Sequence, residues 1–263
     1  MAAGHLAVTW WGHASATVEI GATKVAIDPL LTSRLLHLRR YAAHPPHAAW
    51  DADLVLISHL HSDHFHVPSL RGFPSDVPIV VPRGGEGLLS KLDGDRVHPA
   101  DPGDVLDLAG VRVRVLPATH EGRRGPHSRL TAPALGFRVD GAGRSFWFPG
   151  DTELRDDMAE VGAVDLALVP IGGWGPTLED GHMDPVDGAK AVRLVDATTA
   201  IPVHWGTFWP IGLRHVARAN HDRLFTTPGQ RFLDALEGQD VTAMVVEHGR
   251  RVALDDPGFT RLG

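Results

Sequence analysis

The sequence predicts a layered α/β architecture in which two β-sheets pack together with helices outside. Three observations lead there. Short β-like runs dominate the first half, each bounded by Gly, Pro or Asp. In the second half such runs alternate with segments of helical pattern. The composition, 43% hydrophobic and 22% charged over 263 residues, is that of a soluble chain able to bury a substantial core, read here as one domain, 1–263.

The strands expected in order are Leu6 to Trp10, Ala16 to Ile20, Lys24 to Asp28, Asp53 to Ser58, Pro78 to Pro82 and Val111 to Leu116. A helix is expected over Gly87 to Leu92, ending at Asp93-Gly94. Further strands follow at Ala134 to Val139, Ser145 to Phe148 and Asp165 to Pro170. Asp184-Pro185-Val186-Asp187 has an N-cap carboxylate, proline at the first helical position and a second carboxylate two residues on. It opens a helix to about Val195. Thr227-Pro228-Gly229-Gln230 repeats that logic ahead of Phe232, Leu233 and Leu236. A closing strand, Thr242 to Glu247, is expected to pair with Arg251 to Leu254. The segment Ser33 to Trp50 fits neither period and reads as an exposed irregular loop or a mobile flap.

Composition removes several function classes. There is no cysteine, hence no disulfide, thiolate ligand or cysteine nucleophile, and any metal must bind through His, Asp or Glu. A net charge of -7 gives no general attraction to nucleic acid. No apolar run approaches about 18 residues and the N-terminus lacks a signal-peptide pattern, so a cytoplasmic protein without a transmembrane segment is the expectation.

The chemistry is concentrated in HLHSDH, residues 59 to 64, directly after the apolar run Leu54 to Ser58. Alternation along a strand end can send His59 and His61 the same way, toward one cation, while Asp63 and His64 serve a second nearby. Three more donors stand just past predicted strands: His120 in LPATHEG, Asp151 in FPGDTEL and His204 in PVHWGTF. A carboxylate can bridge two cations, which places His59, His61, His120 and Asp151 on the first and Asp63, His64, Asp151 and His204 on the second. Zinc suits such donors; manganese or iron are also accommodated.

The ordered set HLHSDH, His120, Asp151, His204 resembles the dinuclear ligand pattern of the metallo-β-lactamase superfamily. TWWGHAS (9–15), IDPLL (27–31), GHMDPVDGAKAV (181–192) and HWGTF (204–208) resemble the branch containing N-acylphosphatidylethanolamine phospholipase D and the ascorbate-6-phosphate lactonases. The resemblance implies a four-layer αββα sandwich with two divalent metal ions in a cleft at one edge of the sheets. Clinical β-lactamases lack an aspartate matching Asp151 as bridging ligand and typically use a cysteine in the second site, so antibiotic hydrolysis is not expected.

A metal-bridging hydroxide attacking a phosphodiester, or a lactone or ester, of a small or lipid-like anionic substrate is the expected chemistry. Asp63 is assigned to orient it and take its proton. His182 either acts on the substrate or leaving group or merely bonds its own loop. His13 and Asp28 are read as supports that orient the metal loop. Arg123, Arg124 and Arg129 are either a phosphate grip or solvated loop charges. Trp174, Trp205, Phe208 and Trp209 are either pocket lining or core. A thioester hydrolase of glyoxalase II type and a non-catalytic binding protein on the same scaffold are the alternatives.

Overall fold

Residues Leu6–Gly12 and Ser15–Ile20 are joined by a two-residue turn, and both strands are buried almost throughout, which fits their apolar composition. A computed structural model describes residues 4–92, 94–173, 175 and 177–254. Among these, two sheets of seven strands face each other. The first runs Arg251–Ala253, Leu6–Gly12, Ser15–Ile20, Thr23–Ile27, Leu54–Leu56, Ile79–Pro82, Val97–Ala100. The second runs Thr242–Ala243, Ala197–Val203, Val164–Pro170, Arg144–Phe148, Leu135–Gly141, Val111–Pro117, Val105–Leu108. Both sheets are mixed, antiparallel at one side and parallel at the other.

The inner faces share one core, in which Val8, Val18 and Leu56 of the first sheet meet Val113, Phe137 and Leu168 of the second. Two outer layers complete the expected αββα sandwich. Helices Pro185–Leu194 and Pro228–Leu236 cover the second sheet with Ala189, Val192 and Phe232. The first sheet is covered more thinly, by the short helix Val67–Leu70, by the 3₁₀ turn His47–Trp50 and by loops carrying Phe65 and Phe73. No described helix is long and apolar enough to cross a membrane.

The helix expected at 184–195 forms as Pro185–Leu194, and the Asp184 carboxylate accepts from the Val186 and Asp187 amides. Four expectations need correction. Gly87 to Leu92 is not an α-helix: a single 3₁₀ turn, Glu86–Leu89, stands there, consistent with the low helix propensity of glycine, and Asp93 lies outside the described residues. Thr227 does not cap its helix. A π-turn, Asp222–Thr226, already leads into it, and the Thr227 hydroxyl donates to the Asp222 carbonyl instead. Only Thr242–Ala243 of the closing strand forms, parallel to Ala197–Val203, while Arg251–Ala253 adds to Leu6–Gly12 in the other sheet.

The fourth correction is the segment 33–50, which is neither irregular nor loose at its start. Arg34–Leu35 and Leu38–Arg40 form a hairpin, and Phe208–Pro210 completes a third, small sheet. Arg40 pins it. Its guanidinium is buried, donates to the carbonyls of Thr32, Trp11 and Leu30 at 2.6–2.8 Å and lies over the Phe208 ring. Burial lowers its pKa to about 10, which still leaves it charged at neutral pH.

Candidate metal centre

Seven side chains named from the sequence converge at one edge of the sandwich. Leu54–Leu56 ends before the motif, so His59 to His64 lie in the following turn rather than at a strand end. That turn is closed by the His61 carbonyl, which accepts from the amides of His64 and Phe65. His59 Nε2 is 3.0 Å from His61 Nδ1, and His120 Nε2 is 3.1 Å from the same atom. A short distance away His64 Nε2 and His204 Nε2 stand 3.1 Å apart. Asp151 Oδ2 lies between the groups, 3.1 Å from His64, 3.3 Å from His204 and 4.0 Å from His59.

The outward ring nitrogens settle which inward atoms carry lone pairs. A carbonyl can only accept, so His120 Nδ1 donates to Gly181 O at 3.0 Å and His204 Nδ1 to Gly172 O at 2.7 Å. His64 Nδ1 donates to Asp28 Oδ2 at 2.7 Å. Ser58 Oγ donates to the same carboxylate at 2.5 Å and therefore accepts from His59 Nδ1. Asp28 thus orients His64 directly and His59 through Ser58. The Nε2 atoms of His59, His120 and His204 face inward as acceptors, and that of His64 becomes one when its second proton is removed.

Lone pairs at such separations repel unless a cation lies among them. Asp151 Oδ1 has no hydrogen-bond partner among the described residues although it is buried, and an orphaned buried carboxylate oxygen is costly. Three buried carboxylates, Asp28, Asp63 and Asp151, add a demand for positive charge. The donors therefore fit a metal ion, and the groups His59/His61/His120 and His13/Asp63/His64/His204 each bring ligand atoms within 4.8 Å of one another.

Electrostatics agree. Burial lowers the pKa of His59, His61 and His204, and takes His120 to about 4, so these imidazoles are neutral at pH 7 and available as ligands. Burial opposes ionisation of Asp63 and Asp151, but the surrounding histidines outweigh it and hold both well below the usual carboxylate range. His64 moves the other way: burial disfavours its proton, yet Asp151, Asp63 and Asp28 together raise its pKa. Without metal, these carboxylates favour the protonated form of His64. Because metal must displace that proton, affinity is expected to rise with pH through the His64 titration, with proton release on binding. Calorimetric titration of zinc in two buffers of different ionisation enthalpy checks this; identical heats would refute it.

Backbone strain marks the same residues. His13, Asp28 and His204 all adopt positive φ, at 55°, 39° and 65°, although none is glycine. His13 Nε2 donates to Asp63 Oδ2 at 2.8 Å, its carbonyl accepts from the His204 amide, and its own amide donates to Thr207 Oγ1. Gly181 is needed beside His120, since at φ +79° a Cβ would stand 2.9 Å from His120 Nδ1.

His182 sits at the rim with 14% of its side chain exposed, Nε2 3.3 Å from Asp151 Oδ2 and Nδ1 donating to Glu179 O. The arginines are placed otherwise than a phosphate grip requires. Arg124 reaches under the motif and donates to the carbonyls of Leu60 and Phe65, with its guanidinium near the Phe65 ring. Arg123 is exposed and paired with Glu121 at 2.9 Å, and Arg129 is exposed on the same loop. Phe208 packs on His13 and Trp209 is fully buried, so both are core, while the half-buried Trp205 stacks on Trp10 at the edge of that core. Trp174 lies outside the described residues. Reading side chains overlooked Ser58, Thr207 and the carbonyls of Gly172 and Gly181. Only the serine preceding the first histidine of the motif left a trace in sequence.

A family profile described as a β-lactamase superfamily domain matches residues 23–205, a span containing all seven donors. The chain belongs to the metallo-β-lactamase superfamily. Within that superfamily, a metal-dependent hydrolase of Thermoplasma acidophilum is 32% identical over 208 residues, covering 78% of this chain and 85% of that protein. An N-acyl-phosphatidylethanolamine-hydrolyzing phospholipase D of Caenorhabditis elegans is 28% identical over 271 residues, 93% of this chain and 74% of that one. The structure of Igni18, a metallo hydrolase from the archaeon Ignicoccus hospitalis, shares the metallo-β-lactamase fold with a TM-score of 0.72. It is 22% identical and covers 95% of this chain and 98% of its own. The protein is a metal-dependent hydrolase of this superfamily.

Proposed function

We propose that the protein hydrolyses an anionic phosphodiester, using two divalent cations, zinc by preference, held by His59, His61, His120 and Asp151 and by Asp63, His64, Asp151 and His204. The reading is carried by the position of His182 at the open rim, its Nε2 3.3 Å from Asp151 Oδ2. The likeness to a phospholipase D that by name hydrolyses N-acyl-phosphatidylethanolamine supports the substrate class. When bound, the cations would supply Lewis acidity and lower the pKa of water toward about 7.

The chain's own groups complete the reaction. Asp63, ionised and accepting the His13 N–H on Oδ2, takes the proton of the attacking water. His182 uses Nδ1–H on Glu179 O. Burial opposes its protonation, but the hydrogen bond with Asp151 and the charge of that carboxylate outweigh it and raise its pKa, which favours a second proton at Nε2. From the rim that proton reaches the leaving oxygen.

His182→Ala is expected to lower kcat by about 10²–10⁴ on an alkyl phosphodiester while leaving cation content unchanged. With a nitrophenyl leaving group, which departs without a proton, the loss shrinks to a few-fold. An equal loss on both substrates would remove His182 from the proton-donor role. A panel of phosphodiesters, lactones and thioesters tests the substrate class, and turnover confined to thioesters would overturn it.

A further inference from the structure

The hairpin at 34–40 and the segment 208–226 build one lobe beside the metal centre. Phe208–Pro210 pairs with Leu38–Arg40, and the Ile211 amide donates to His37 O. Arg39 and Arg214 both lie over the Tyr41 ring, whose edge meets Phe225. Six large apolar side chains are exposed among the described residues, and the two most exposed, Val216 at 82% and Leu36 at 76%, stand on this lobe with Ile211.

Charge sets the lobe apart. Residues 33–41 and 208–226 carry six arginines against one acidic residue, Asp222, on a chain of net charge -7. All the arginines but Arg40 are exposed. Exposed aliphatic tips on a lobe that also exposes five guanidinium groups match a bilayer surface, where the tips enter the acyl boundary and the cations meet lipid phosphates. A protein interface is anchored by buried aromatics, and a single-stranded nucleic acid needs exposed aromatics for stacking. Here Tyr41 is covered by Arg39 and Arg214, and Trp209 is buried.

We propose that this lobe docks the protein on anionic lipid bilayers, inserting Leu36, Ile211 and Val216 while its arginines contact acidic headgroups. Docking places the metal centre next to the bilayer, because Phe208 of the lobe packs against His13. The proposal holds whichever bond the site cleaves.

Flotation with phosphatidylcholine vesicles containing about 30% phosphatidylserine, at about 0.1 M salt, tests it. The protein is expected to float with these vesicles and not with phosphatidylcholine alone. Arg218→Glu/Arg223→Glu is expected to weaken binding at least about tenfold, and Leu36→Ser/Val216→Ser several-fold. Circular dichroism and metal content of both variants should match the parent, since neither pair touches the donors. Failure to float, equal binding to neutral vesicles, or indifference to charge reversal would overturn the proposal. So would a dimer in light scattering that Leu36→Ser/Val216→Ser splits, which would make the lobe a contact between copies.

Discussion

Asp151→Asn is expected to strip the cations and turnover together, with kcat down by about 1000-fold or more, or about 4 kcal/mol of barrier. Asp151 Oδ2 is the atom shared by both halves of the site, within 3.3 Å of His64 and His204 and 4.0 Å of His59. Among the described residues its other oxygen has no hydrogen-bond partner to compensate for burial. An amide of the same shape removes the charge and one acceptor, and either of its orientations presents N–H groups to atoms that need an acceptor or a cation. Elemental analysis of dialysed protein alongside kinetics is the measurement. Full cation content in the variant would show that His59, His61, His64, His120 and His204 suffice without Asp151.

Asp28→Ala is expected to cost about 3–5 kcal/mol of stability and to weaken cation binding about 10–100-fold. The carboxylate is wholly buried and accepts from the Ser58 amide at 2.8 Å, the Ser58 hydroxyl at 2.5 Å and His64 Nδ1 at 2.7 Å. Alanine leaves three donors without an acceptor in a site closed to water, and the penalty for such groups exceeds the net worth of the bonds lost. It also frees both imidazoles from their fixed tautomers. Urea denaturation and metal titration read the two effects separately. A variant with parental stability and affinity would mean that the loop is held by its backbone alone.

The donors were legible because each follows an apolar run, and because His59, His61, Asp63 and His64 crowd into one hexapeptide. What holds them was less so. Gly172 and Gly181 act through carbonyls, which every residue possesses, so residue type says nothing of their role. Arg124 was misplaced for a related reason. A guanidinium suits phosphates and carbonyls alike, and only the path of the loop turns it toward Leu60 and Phe65. The hairpin at 34–40 escaped notice because the strand that stabilises it, Phe208–Pro210, lies far along the chain. The fate of Thr242–Glu247 depended likewise on which sheet edge was open, a property of the assembled fold. Periodicity reports burial of a segment, not the identity of its partner.

The strained residue His13 gives the centre a place in the order of folding. Its amide is tied to Thr207 across a separation of 194 positions, and His64 meets His204 across 140. Contacts so distant in sequence are paid for in loop entropy before they return any free energy, and they form late. The hexapeptide donors are local, but the full set, with His204 beside His64, exists only once both sheets have docked. Binding then acts as a latch on the finished structure, withdrawing the native state from equilibrium with its unfolded ensemble in proportion to the free cation concentration.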